Sequence, residues 1–142
     1  MNPNAIIYPA IAMFALSIGV IIKLGTTRFV AIRRREVSIR FFRTYDEGTQ
    51  PKRLHLLSRH VQNHFEIPPL FYVGVILTYI AGFVTLAGVT FAWLYVASRS
   101  LHTYIHLGSN NVTHRFFVFA ASLLFLFGLW LTLLVSLVKS AA

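Results

Sequence analysis

A chain of 142 residues has the length of one domain, yet 56% hydrophobic residues, 15% aromatics and a mean hydropathy of +0.67 lie outside the range of a water-soluble domain and place it in a bilayer. Thirteen Lys and Arg against four Asp and Glu give a net charge of +9, but ten of the thirteen fall between Lys23 and Arg59. That clustering marks membrane topology and contact with anionic lipid headgroups, and argues against a nucleic-acid partner. The absence of cysteine excludes disulfides, thiolate metal sites and cysteine nucleophiles.

A helix needs roughly 20 apolar residues to cross a hydrocarbon core of about 30 Å. Four runs approach that length: 5–24, 67–83, 86–107 and 116–138. The first, "MNPNAIIYPAIAMFALSIGVIIKLG", has neither a basic start nor a small-residue cleavage site, so it reads as a retained span and not a signal peptide. A basic loop, 25–60, follows, long enough for a helical extension and a surface-lying segment, with its break expected at Gly48 and Pro51. The turns "AGFVTLAGVT" and "GSNNVTHR" are short, which makes consecutive helices antiparallel neighbours. The expectation is an all-α integral membrane protein, a single four-helix bundle over residues 1–142. The Lys and Arg excess puts the basic loop in the cytoplasm and both termini outside.

Polar residues interrupt this apolar frame at a few places. Arg59, Asn63 and Glu66 stand at i, i+4 and i+7, one stripe of a helix entering the membrane. Arg99, His102 and His106 share a face at the end of the third run, and Arg115 opens the fourth. Ionisable groups at membrane depth face the bundle interior and pair with one another or with a polar ligand. Glu66 could pair with Arg99 or Arg115 and only fix helix register. One carboxylate against Arg59, Arg99 and Arg115 nevertheless leaves surplus positive charge, which asks for an anion.

The pairs His60 with His64 and His102 with His106 have the i, i+4 spacing that can offer two imidazoles to a metal or haem. His60 and His64 stand about 100° from the Arg59 stripe, so the two pairs are not expected to converge. Hydrogen-bonded or interfacial histidines are the simpler reading, and no metal site is assigned. The "RRR" at 33–35 reads as a lipid anchor, and the aromatic-rich fourth run as a packing and lipid-facing helix.

These residues resemble a known family, the membrane-associated proteins in eicosanoid and glutathione metabolism (MAPEG). "RHVQNHFEIPPLF" carries the second-helix pattern through Arg59, Asn63, Glu66 and Pro69, and "RSLHTYIHL" the third-helix pattern through Arg99, His102 and Thr103. Arg115 matches the fourth-helix arginine, and Arg28 in "GTTR" looks like the first-helix one. The resemblance implies a homotrimer with glutathione between subunits near the cytoplasmic face. Glu66 would receive the glutamyl ammonium, Arg59, Arg99 and Arg28 the carboxylates and Asn63 the peptide groups, with His102 and His106 beside them. Arg115 would be catalytic, favouring thiolate over thiol for attack on a lipophilic electrophile or hydroperoxide. Where the family's eicosanoid enzymes carry two tyrosines and a serine, this chain has His106, Phe119 and Phe116, and it has Gln62 in place of an arginine. It looks closer to bacterial members, which implies an inner-membrane location. Two alternatives stand beside the transferase or peroxidase: a non-enzymatic membrane subunit or lipid-binding protein of a larger complex, and the histidine-based metal or haem site.

Overall fold

The computed structural model describes residues 1–45 and 49–141, and among them it contains helices and turns but no strand. A short 3-10 turn, Pro3–Ile6, is capped by Asn2, whose side-chain oxygen accepts from the Asn4 N–H at 2.9 Å, and leads into α1, Ile7–Arg33. Pro9 does little harm in the first turn of α1, where N–H groups have no helical partner. The helix runs well past the expected end at Leu24, because Thr26 and Thr27 satisfy their hydroxyls within it by donating to the Lys23 carbonyl at 3.0 and 2.7 Å. It stops near Arg35, whose φ of 57° is left-handed.

Much of the basic loop is therefore helical. After the single turn α2, Phe41–Thr44, comes α3, Lys52–Glu66, opened by Pro51. The other half of the expected break, Gly48, lies outside the described residues. α3 buries Leu54, Leu57, His60 and His64, one face of a helix whose opposite face is charged. It ends because Pro68 and Pro69 have no N–H to offer the carbonyls of the preceding turn, and Pro68 starts α4, Pro68–Ile80. Gly82, at φ 72°, turns the chain, and the Thr85 hydroxyl accepts from the Gly88 N–H at 3.1 Å to cap α5, Leu86–Leu107. A turn through Gly108 and Asn110 leads to α6, Val112–Ala141.

Among the described residues two helical segments are long and apolar enough to cross a membrane alone, Pro3–Arg33 and Val112–Ala141, and only 22% and 28% of their apolar windows are buried within the chain. Phe14, Ile22, Leu124 and Phe127 are more than half exposed, as expected of surfaces that lipid or another subunit covers. At 13 residues α4 rises only about 20 Å, short of a bilayer core by itself.

α5 and α6 pack along one another most extensively, and α1 touches α3, α4 and α5. Gly128 permits that approach: a Cβ there would sit 2.7 Å from the Phe91 ring. One apolar cluster joins Met13, Phe71, Val75, Tyr95, Val96 and Leu129, and a second joins Val20, Leu24, Phe41, Leu54 and Leu57. Along α5, Val96 belongs to the first and Leu107 packs on the second, so the buried Arg99, His102, Thr103 and His106 form a polar layer between them.

Candidate functional site

The polar layer is built from two opposed helix faces. α3 turns His60 and His64 inward, α5 turns His102 and His106 inward, and the four imidazoles meet. Ring centroids are 4.9 Å apart for His60 and His64, 4.6 Å for His60 and His106, and 5.8 Å for His102 with either His60 or His106. The sequence reading kept the two pairs apart. They converge because the histidine stripe of α3, rotated from the Arg59 stripe, is the one that faces α5.

The hydrogen bonds fix which nitrogen carries the proton on three of the four imidazoles. Thr103 donates its hydroxyl to the Arg99 carbonyl at 2.9 Å, so its oxygen accepts from His60 Nε2–H at 3.1 Å and His60 Nδ1 is left with a lone pair. His102 donates from Nδ1 to the Arg115 carbonyl at 3.2 Å, which leaves the lone pair on Nε2. A guanidinium only donates, so His106 Nε2 accepts from Arg115 Nη1 at 3.3 Å and its proton sits on Nδ1. His64 reaches Ser17 through Nδ1 at 3.0 Å. Among the described residues no group of three or more His, Asp or Glu is arranged to hold a metal ion. His60, at the solvent side of the 67–83 run, is held far below the ordinary imidazole value by burial first, then by His64, His106, His102 and Arg99.

Beside this layer lies a cavity of about 450 Å³ whose walls differ in chemistry. Arg59 and Asn63 of α3, His102 and His106 of α5 and Arg115 of α6 form the polar side, and Leu56, Val112, Phe116 and Phe119 the apolar side. Arg115 is fixed in place, donating from Nη1 to Asn110 Oδ1 at 2.9 Å as well as to His106. Five of the eight residues singled out from the sequence therefore share one cavity.

The other three are elsewhere. Glu66 ends the Arg59 stripe but is exposed and off this cavity, and the one ion pair among the described residues is Arg53 with Glu36 at 2.6 Å. Within one chain, Glu66 does not serve as the register-fixing partner of Arg99 or Arg115. Arg28 lines an adjoining cavity of about 490 Å³ that shares His55 and Arg59 with the first, its guanidinium 5.4 Å from the Phe42 ring centre. Arg99 is fully buried and donates to the Asn63 carbonyl at 3.1 Å, while its Nε and Nη1 have no hydrogen-bond partner and its guanidinium carbon lies 5.8 Å from the Phe119 ring centre. Sequence reasoning missed Asn110 and Ser17. Asn110 gave only the faint signal of two asparagines in a turn, and Ser17 none, since a lone serine in an apolar helix bonds its own backbone as readily.

A family model described as the MAPEG family matches residues 6–135, nearly the whole chain. No curated protein and no solved structure gives a significant match.

Proposed function

Because the chain belongs to the MAPEG family, a family of membrane proteins that includes glutathione-related transferases, we propose that it is a membrane-embedded glutathione-dependent transferase or peroxidase acting on lipophilic electrophiles or hydroperoxides. The observation that carries this reading is the two-sided cavity, in which Arg115, clamped by Asn110 and His106, sits between cationic and aromatic walls. Its volume of about 450 Å³ is in the range of small-molecule sites.

Glutathione carries two carboxylates and one ammonium, and the residues here match both signs. Arg59 takes a carboxylate and Asn63 the peptide groups, and Arg28 in the adjoining cavity takes the second carboxylate. Arg99 adds positive potential from behind. Glu66, exposed at the end of the same stripe, receives the ammonium across the boundary with a neighbouring subunit of a homotrimer. Arg115 stabilises the thiolate, raising the concentration of the nucleophile at neutral pH. In conjugation the thiolate sulfur forms a C–S bond as the electrophile's leaving group departs or its π-bond takes the electron pair. In peroxide reduction the thiolate sulfur attacks the terminal oxygen, the O–O bond breaks and the alkoxide leaves as the alcohol after protonation, and a second glutathione then displaces water from the resulting sulfenic acid to form the disulfide.

The same proposal includes a four-helix membrane bundle in which the last turn of α3, beyond His60, lengthens α4 to a full span and α5 forms the third. The basic loop then lies in the cytoplasm of a bacterial inner membrane against anionic headgroups, with both termini outside. Isothermal titration of the detergent-purified protein with glutathione tests it: binding that is lost in Glu66→Gln, together with turnover that is lost in Arg115→Ala, supports the reading, and no binding by titration or by a second method ends it.

A second reading is a non-enzymatic lipid-binding subunit, favoured by Phe116, which lines the cavity yet is 63% exposed. Binding of a lipid without any thiol dependence would select it. The convergence of the four histidines and the unpartnered lone pairs on His60 Nδ1 and His102 Nε2 speak for the metal or haem reading, but among the described residues no three ligating groups are arranged around one point, and we do not propose it.

A further inference from the structure

We propose that Asn110 is a positioning residue, which from the turn between α5 and α6 holds the Arg115 guanidinium toward the sulfur of the bound thiol. The inference rests on the functional reading above. Asn110 has a φ of 50°, in the left-handed region that asparagine and glycine tolerate better than other residues. Its N–H donates to the Ile105 carbonyl at 2.8 Å, which locks the turn onto the end of α5. In that conformation Oδ1 accepts from Arg115 Nη1 at 2.9 Å. His106 accepts from the same Nη1, and the Arg115 backbone carbonyl accepts from His102, so the arginine is held at both ends.

The neutrality of the amide matters as much as its position. A carboxylate at residue 110 would hold the guanidinium more tightly but cancel the charge that stabilises a thiolate. An amide orients the cation and leaves its charge to the ligand. Backbone strain alone would be relieved equally well by glycine, so the side chain is free to be chosen for what it touches.

The experiment compares Asn110→Gly and Asn110→Asp with the unmodified full chain in detergent. Asn110→Gly keeps the left-handed turn and removes only the side chain. It should lower kcat by roughly tenfold to a hundredfold, with KM for glutathione changed less than about twofold. Asn110→Asp keeps both turn and hydrogen bond, yet should move the acid limb of the pH–rate profile upward by about one unit. A merely structural Asn110 would leave the aspartate variant's profile unchanged, and that result, with wild-type kcat in the glycine variant, overturns the proposal. Solvent exchange of the Arg115 side-chain N–H groups, measured by NMR without ligand, separates the two layers of inference. Faster exchange in Asn110→Gly supports the clamp even if the unmodified protein turns over no thiol, in which case only the functional reading fails; unchanged exchange overturns the clamp.

Discussion

Arg99, fully buried in the middle of α5, donates from Nη2 to the backbone carbonyl of Asn63 at 3.1 Å and so ties α5 to the last turn of α3. That turn is where Pro68 and Pro69 leave carbonyls without helical donors, and a cation at the negative end of a helix is favourable. Two guanidinium nitrogens nevertheless remain unpartnered, and no described carboxylate bonds to it. One hydrogen bond to a charged group returns about 1.5–3 kcal/mol, less than the several kcal/mol of burying the ion. Arg99→Met is therefore expected to raise the stability of the unliganded protein by about 1–4 kcal/mol and to abolish its further stabilisation by glutathione. Thermal denaturation with and without the thiol reads both effects, and a destabilised Met variant would show that Arg99 serves the fold alone.

His60 makes the fold acid-sensitive. Its imidazole is held from the ordinary 6.5 down to about 2, chiefly by burial, so between those values the unfolded chain binds a proton that the folded chain does not. Stability therefore rises with pH across that window and is lost as the pH falls from 6.5. Melting temperature in detergent should decline on acidification, and His60→Gln should flatten the decline. An unchanged slope in the variant would move the effect to other groups.

The sequence carried some of these features openly and concealed others. Arg59, Asn63 and Glu66 were legible as one stripe because helical spacing alone aligns them, and Arg115 because a short turn carries α5 into α6. The first half of α3, up to residue 60, fell in the expected basic loop since Lys52, Arg53, His55 and Arg59 outweigh Leu54 and Leu57 on any count of hydropathy, although its buried residues keep helical spacing. The meeting of His60 with His106 depends on how α3 is rotated against α5, and the contact of Asn110 with Arg115 on a left-handed turn. Neither is written in the spacing of residues along one helix.

Glu66 is exposed and unpaired among the described residues, so its removal should leave the isolated fold intact. Glu66→Gln is expected to keep its melting temperature while weakening glutathione by about 1.5–3 kcal/mol, the worth of a charge-assisted hydrogen bond to the ammonium. Calorimetric titration measures the loss. Wild-type affinity would remove Glu66 from the site, and collapse of the oligomer without ligand would make it an assembly residue.

Arg115 is the sharpest test of chemistry against binding. It touches the cavity through a guanidinium fixed by Asn110 and His106, while Arg59 and Asn63 line the same wall independently of it. Arg115→Ala should therefore leave thiol binding measurable and lower turnover by about 10²–10³, the range found when one preorganised donor to a developing anion is removed. Arg115→Lys restores the charge without the planar fork, and is expected to recover only part of the rate. If the alanine variant lost binding and rate in parallel, Arg115 would hold the ligand's carboxylate, and the thiolate would have to be stabilised by the remaining cation on that wall, Arg59.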